Sequence, residues 1–201
     1  MPRSAAIVLA GGRSHRMGRD KAAIVLAGRT LLQRAIDAVE DVVDEVVIVG
    51  APGRALPAVA SRRPLRLVSD HVEGAGPLAG LLSGLAATEA ERCLVVGCDQ
   101  PALAPPLLGL LLGCLDASRS ATPVIDGRPQ PLVSALRADL LPDLKAVFAR
   151  GERALRALTR VDGAELIPEE VWRAADPHAR SFVGVNTPEE LARAEVLLAA
   201  D

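Results

Sequence analysis

Short apolar runs alternate along the first half of the chain with longer segments whose apolar residues recur at helical spacing. Continuous runs are typical of buried parallel strands, and the longer spacing is typical of amphipathic helices. The runs predict strands at residues 5–9, 45–50, 65–69 and 93–97, and the segments between them predict helices at 31–42, 77–90 and 105–115. Thr30 is a candidate N-cap for the first helix, and Pro77 fits the first turn of the second. The alternation predicts an α/β fold with a mostly parallel sheet and helices on both of its faces.

The second half is less regular. Residues 121–125 and 131–136 predict strands on either side of a turn-like sequence, Asp126-Gly127-Arg128-Pro129. Other segments predict helices at 138–149, 152–158 and 188–200, and short strands at 164–167 and 181–185. Thr187 and Glu190 have the spacing of a capping box at the last helix. No repeat, low-complexity segment or long linker interrupts the pattern, so we expect one domain over residues 1–201.

Composition narrows the classes of function. The net charge is −2, and aromatic residues make up 1% of the chain, with no tyrosine. A basic field or a base-stacking surface is therefore not expected, and neither is a nucleic-acid partner. No apolar run approaches the ~18 residues of a membrane span, and no signal-peptide pattern opens the chain. The three cysteines show no paired spacing, which fits a reducing compartment. We expect a cytoplasmic protein without a membrane partner.

The first predicted strand leads into a glycine-rich, basic segment. Residues 9–21 are Leu-Ala-Gly-Gly-Arg-Ser-His-Arg-Met-Gly-Arg-Asp-Lys. Glycines let main-chain N–H groups approach a ligand, and successive N–H groups form an anion-binding concavity. Arg16 and Lys21 add full positive charge, so the segment predicts a phosphate-binding site. It is neither a P-loop nor a dinucleotide fingerprint, because its glycine spacing differs from both. The alternative is a surface turn with solvated charges.

Two acids follow later strands of the predicted sheet. Asp70 comes after the third strand, and Asp99 comes after the fourth. Because open α/β sheets bind ligands at the carboxyl ends of their strands, we expect both acids to meet the glycine segment in one cleft. Asp99 ends an apolar run, where an unpaired carboxylate is costly, and Mg²⁺ would resolve that cost. The alternatives are turn residues, with Asp99 also a candidate N-cap.

The motifs together resemble a known family. The segment of residues 9–21 is similar, residue for residue, to the signature loop of the molybdenum cofactor guanylyltransferases, and the wider nucleotidyltransferase group shares a looser version. The sequences Gly-Pro-Leu-Ala-Gly at 76–80 and Cys-Asp-Gln-Pro at 98–101 also match the family. Further matches are residues 126–132, 151–153 and 185–191. The resemblance therefore extends over nearly the whole chain, and it implies a three-layer α/β/α nucleotidyltransferase (Rossmann-like) fold.

The resemblance also implies a reaction and a site. GMP would pass from GTP to the terminal phosphate of molybdenum-loaded molybdopterin, with pyrophosphate released. The N-terminal half would bind the nucleotide, and residues 120–185 would face the acceptor. Molybdenum-insertion proteins and apo-molybdoenzymes are further candidate partners. Asp99 would bind Mg²⁺, the expected cofactor. The residues implied as catalytic are Arg16, Lys21 and Asp99, and those implied as nucleotide contacts are Leu9, Ala10, Gly11, Gly12, Lys21, Asp70, Gly76, Gly80 and Asp99.

Two positions depart from the family pattern. Gln130 stands where many members have histidine, and Gly50 stands where many have asparagine. These differences concern the second substrate and guanine selection. A molybdopterin cytidylyltransferase or a sugar-phosphate nucleotidyltransferase is therefore an alternative, although the pair Gly11-Gly12 favours the guanylyl branch. Two further alternatives are a non-catalytic protein that binds the nucleotide or the cofactor for delivery, and a purely structural α/β domain.

Overall fold

The computed structural model describes residues 2–11, 20–70 and 75–199. Within these residues, an eight-stranded sheet is covered by helices on both faces. The strands are β1 (Ser4–Leu9), β2 (Val25–Leu26), β3 (Arg29–Thr30), β4 (Glu45–Gly50), β5 (Leu65–Ser69), β6 (Arg92–Gly97), β7 (Ser120–Ile125), β8 (Arg128–Pro129), β9 (Val133–Arg137) and β10 (Ala164–Ile167). The helices are α1 (Leu31–Val39), α2 (Pro77–Ala86), α3 (Pro105–Cys114), α4 (Leu141–Ala149), α5 (Glu169–Trp172) and α6 (Pro188–Ala199).

The large sheet has the strand order β10-β7-β9-β6-β1-β4-β5, with β8 paired to β7. Strands β5, β4, β1 and β6 are parallel, and β9 is antiparallel to both of its neighbours. The hairpin β2–β3 forms a separate two-stranded sheet. The predicted mostly parallel sheet is confirmed, and its parallel half brings four strand ends to one edge.

Alternate residues of each central strand enter different cores, as the period of a strand requires. Ala6 and Val8 of β1 pack under α1 and α3, whereas Ala5 and Ile7 pack under α2 and α4. The predicted three-layer α/β/α arrangement is therefore confirmed. A smaller cluster joins α6 to the β2–β3 hairpin through Leu26, Val185, Ala194 and other apolar residues. None of the helices in the described ranges has the length and apolar character needed to cross a bilayer.

Helices α1 and α2 end earlier than predicted, because side chains just past their last residues form other hydrogen bonds. Helix α1 begins after Thr30, whose hydroxyl accepts the Gln33 N–H at 3.1 Å as predicted. It ends at Val39 rather than at residue 42, and the next carboxylate, that of Glu40, binds Arg62. Helix α2 ends at Ala86 rather than at residue 90, where the Thr88 hydroxyl accepts the Ala90 N–H.

Two predictions of secondary structure in the second half are wrong. Residues 181–185 do not form a strand; Arg180–Phe182 is a 3-10 helix, and the Val185 N–H donates to the carbonyl of Asp99 rather than to a neighbouring strand. The predicted helix at 152–158 is instead a short 3-10 helix at Leu155–Thr159. It starts late because the Glu152 carboxylate binds the N–H groups of the two residues that follow.

Candidate active site

A cavity of about 250 Å³ lies at the carboxyl ends of β1, β4, β5 and β6. The predicted residues that line it are Leu9, Ala10, Gly11, Lys21, Asp70, Gly76, Gly80 and Asp99. Its wall also includes residues that were not predicted, namely Val49, Gly50, Pro77, Gly97, Cys98 and Leu132. Gly12 and Arg16 lie outside the described residues. The structure thus gathers the predicted residues it describes around one cavity.

Lys21 bridges two groups that are distant in sequence. It begins a 3-10 helix, Lys21–Ala23, whose start is capped by the Asp20 carboxylate accepting the Ala22 N–H at 3.1 Å. The Lys21 Nζ donates to Asp99 Oδ2 at 3.1 Å and to Asn186 Oδ1 at 2.5 Å. The Lys21 and Asp99 side chains are only 18% and 21% exposed, so this ion pair is less screened than a surface pair. A positive group is therefore fixed at the cavity wall.

Gly97 makes room for the Asp99 carboxylate. A Cβ at Gly97 would lie 2.6 Å from Asp99 Oδ1 and 3.5 Å from Gln100 Oε1. The Gln100 side chain folds back and accepts the Gly97 N–H at 3.1 Å. The carboxylate thus occupies the space that any larger residue at the end of β6 would fill, and this fixes where it faces the cavity.

The donor set around Asp99 fits a metal that is bound partly by substrate. Among the described residues, no group of three or more histidine, cysteine, aspartate or glutamate side chains could hold a metal ion by itself. Mg²⁺ typically uses one or two protein carboxylates and completes its shell with phosphates and water. Asp99, partly buried in the cavity wall, supplies one such carboxylate.

Asp70 lies across the cavity, where β5 meets helix α2. Its main-chain N–H donates to the carbonyl of Gly50 at 2.9 Å, and the Ser83 hydroxyl of α2 donates to Asp70 Oδ1 at 3.4 Å. A Cβ at Gly80 would be 3.2 Å from a methyl group of Leu9 and 3.9 Å from Asp70 Oδ2. Gly80 therefore allows α2 to approach both the strand end and the acid closely.

The start of α2 is anchored by the segment that matches the family at residues 151–153. Gly76 has a φ of +85°, and a Cβ there would lie 2.7 Å from the carbonyl oxygen of Arg153. That oxygen accepts the Leu78 N–H at 3.1 Å. Only glycine combines this backbone conformation with such a close approach. Arg153, which does not line the cavity, thus fixes the Gly76–Pro77 turn in the cavity wall.

The main chain supplies much of the cavity floor. The Ala10 N–H donates to the carbonyl of Val49, and the Cys98 N–H donates to that of Leu9. Burial raises the pKa of the Cys98 thiol to about 12, with the Asp99 charge adding to the rise. This thiol stays protonated at neutral pH, so Cys98 is part of the wall and not a nucleophile.

The residues on the predicted acceptor side form a hairpin beside the cavity. Asp126 and Gly127 both have positive φ, as a two-residue type I′ turn requires. The Gln130 N–H donates to the carbonyl of Pro123 at 2.8 Å, which closes the hairpin, and Leu132 reaches the cavity wall. The side chain of Gln130 donates to the carbonyl of Arg128.

Asn186, which binds Lys21, is another residue of the site that sequence reasoning missed. It lies in the sequence Val-Asn-Thr-Pro-Glu-Glu-Leu, which was interpreted as a helix cap. That cap exists, since the Thr187 hydroxyl accepts the Glu190 N–H at 3.2 Å. The Glu190 carboxylate in turn accepts the Asn186 N–H at 2.6 Å. The same motif therefore also fixes the residue that binds Lys21.

Comparison with known proteins gives the family. A family model described as the MobA-like NTP transferase domain matches residues 6–187. A probable molybdenum cofactor guanylyltransferase of Chloroflexus aggregans is 38% identical, covering 92% of this chain and 90% of its own. A molybdenum cofactor guanylyltransferase of a Shewanella species is 32% identical, covering 94% and 93%.

Solved structures support the fold. Molybdopterin-guanine dinucleotide biosynthesis protein A of Archaeoglobus fulgidus superimposes with a TM-score of 0.79 at 23% identity, over 98% of this chain and 100% of its own. The 2-C-methyl-D-erythritol 4-phosphate cytidylyltransferase of Thermus thermophilus reaches 0.71 at 21% identity, over 99% and 100%. The chain therefore belongs to the MobA-like NTP transferase family, together with the molybdenum cofactor guanylyltransferases.

Proposed function

We propose that this protein transfers GMP from GTP to the terminal phosphate of molybdenum-loaded molybdopterin and releases pyrophosphate. The observation that carries the proposal is the Lys21 ammonium held on Asp99 at 3.1 Å, at a cavity wall that also contains the main chain of residues 9–11 and the carboxylate of Asp70. A fixed cation and a carboxylate that can hold a divalent metal are what a nucleoside triphosphate requires of a protein. The curated relatives, named as guanylyltransferases of the molybdenum cofactor, support the choice of reaction.

The reaction needs little covalent chemistry from the protein. An oxygen of the acceptor phosphate forms a bond to the α-phosphorus of GTP, and the bond from that phosphorus to the bridging oxygen of pyrophosphate breaks. A phosphate monoester has a second pKa of about 6 and is already largely dianionic at neutral pH, so no general base is required. Positioning and charge neutralisation carry such transfers. We assign neutralisation to Lys21 and to Arg16, which lies outside the described residues.

Asp99 is the proposed ligand of Mg²⁺. The bound ion would draw negative charge from the phosphates toward itself. Lys21 neutralises the Asp99 carboxylate, and Asn186 holds the other side of the ammonium group. Lys21 is thus held in the cavity wall, where we expect it to reach a phosphate oxygen of the bound nucleotide. Asp70 is the proposed contact to the nucleoside, since an ionised carboxylate accepts hydrogen bonds from a base or a ribose.

The acceptor is proposed to enter on the side of residues 120–185. The hairpin β7–β8 stands on that side, and Leu132 follows it onto the cavity wall. The other expected partners, molybdenum-insertion proteins and apo-molybdoenzymes, and the expected cytoplasmic location stay predictions.

The test is pyrophosphate release with Mg²⁺, comparing GTP, CTP, ATP and UTP, each with and without molybdenum-loaded molybdopterin. Release only with GTP and acceptor would support the proposal. Release with CTP instead would assign the protein to a cytidylyl activity. Absence of release with every nucleotide, while GTP still binds, would favour a delivery protein.

The same assay tests the role of Asp99. We expect Asp99→Asn to lower kcat by about 10²-fold or more, because the carboxylate charge is lost where the phosphates react. Asp116→Asn is the matched control, since Asp116 is 73% exposed and pairs with Arg92 away from the cavity. Equal activity in the two variants would contradict a metal role for Asp99.

A further inference from the structure

The segment between α5 and α6 is tied to the loop after β6 at two points. The Val185 N–H donates to the carbonyl oxygen of Asp99 at 2.8 Å. Toward the other end of the loop, the Ala104 N–H donates to the Ser181 hydroxyl at 2.9 Å, directly before helix α3. The two bonds run the segment 181–185 alongside the loop 99–104 in opposite directions.

The Ser181 anchor is itself buried and fixed. Ser181 is fully buried, and Asp176 is 3% exposed. The Asp176 carboxylate accepts the N–H of Arg180 at 3.0 Å with one oxygen and the N–H of Ser181 at 2.9 Å with the other. Because buried polar groups are costly to leave without partners, this network holds one arrangement. The network therefore fixes the position of the segment 181–185 relative to the loop 99–104.

The loop 99–104 and the segment 181–185 position the two side chains that bind Lys21. Asp99 starts the loop, and Asn186 follows Val185 directly. Their side chains lie on the same ammonium group, at 3.1 Å from Asp99 Oδ2 and 2.5 Å from Asn186 Oδ1. The spacing between the two segments thus sets the spacing between the two partners of Lys21.

We propose that Ser181, held by Asp176, is a positioning residue for the transfer reaction: it keeps Asn186 and Asp99 at the separation that places the Lys21 ammonium at the reacting phosphates. This inference rests on the proposed function. Ser181 itself does not line the cavity, so it acts only through the segment that it anchors.

The kinetic test compares Ser181→Ala with Ser120→Ala. Ser120 is also fully buried, and its hydroxyl donates to the carbonyl of Leu158 at 2.7 Å. It lies at the amino end of β7, at the opposite end of the sheet from the cavity, so it is not among the groups that we expect to face the acceptor. We expect Ser181→Ala to lower kcat about tenfold and to leave the KM for GTP within about twofold, because small displacements near reacting groups affect turnover. Ser120→Ala should retain wild-type kcat. Equal losses in both variants would overturn the proposal.

A double-mutant cycle tests the route of the effect. In an Asn186→Ala background, Ser181→Ala should lower kcat by less than about twofold more, since residues coupled through one backbone displacement give non-additive effects. A full tenfold further loss would show that Ser181 does not act through Asn186. If Ser181→Ala does not fold, Asp176→Asn, which keeps one acceptor oxygen for the two N–H groups, takes its place.

Amide hydrogen exchange provides a readout that does not need catalysis. Ser181→Ala should speed exchange in peptides covering residues 98–104 and 183–187, and Ser120→Ala should not. Unchanged exchange there would overturn the inference. If the two variants show the expected exchange pattern but the wild-type protein transfers no GMP, the proposed function is contradicted and the anchoring role of Ser181 is supported.

Discussion

Gly97 illustrates how a single missing side chain shapes the site. Its Cβ would lie 2.6 Å from Asp99 Oδ1, closer than the two atoms can approach. We expect Gly97→Ala to turn the carboxylate away from the cavity and to lower kcat by about tenfold or more, because misplaced charge loses its effect on the reacting phosphates. The measurement is nucleotidyl transfer, with the thermal unfolding midpoint as the control for folding. Wild-type turnover in Gly97→Ala would contradict this, because it would show that the Asp99 carboxylate keeps a productive position beside the added Cβ.

At this scale the sequence predicted residues that local patterns mark. Asp70 and Asp99 were found because each follows an apolar run, and the glycine segment was found because it places glycines and basic residues directly after another such run. Asn186 was not, because it meets Lys21 across 165 positions of sequence. Thr187 caps the start of α6, and no local pattern shows that the residue before such a cap also binds a distant lysine.

Helix α2 packs closely on the sheet at its glycines, and the space available for a Cβ differs between them. A Cβ at Gly84 would lie 2.5 Å from Ile7 Cγ2, a β-branched methyl group with little freedom to move. We expect Gly84→Ala to lower the free energy of unfolding by roughly 1–2 kcal/mol, since overpacking outweighs the better helix propensity of alanine. Urea unfolding measures it.

Gly113 in α3 is the matched control. Apart from its chain neighbours and the backbone of its own helix, no described atom lies within 4 Å of a Cβ built there, and the residue is exposed. Gly113→Ala should raise the free energy of unfolding by up to about 1 kcal/mol, from helix propensity alone. Destabilisation of equal size in both variants would contradict the close-packing argument for α2.

The elements themselves were predictable where burial dictates them. The central strands are continuous apolar runs because both of their faces are covered. Residues 181–185 also look apolar, yet they form no strand, because their hydrogen bonds go to the Asp99 loop and to Asp176. The pattern shows that such a segment is partly buried, but it does not show which partner satisfies its main chain.

For the molecule as a whole, carboxylates held in their charged form make stability depend on pH. The N–H groups of Ala154 and Arg153, with the Arg156 guanidinium, lower the pKa of Glu152 to about 2. Burial opposes ionisation of Glu40, but its bonds from Arg62 outweigh that effect and lower its pKa. The unfolded chain therefore binds more protons in acid, so the free energy of unfolding should fall as pH drops from about 4.5 toward 2. Urea unfolding at pH 7, 5, 4 and 3 measures this free energy. In Glu40→Gln it should fall less steeply between pH 7 and 3 than in the wild type. Equal stability of the wild type at pH 7 and 3 would contradict the argument.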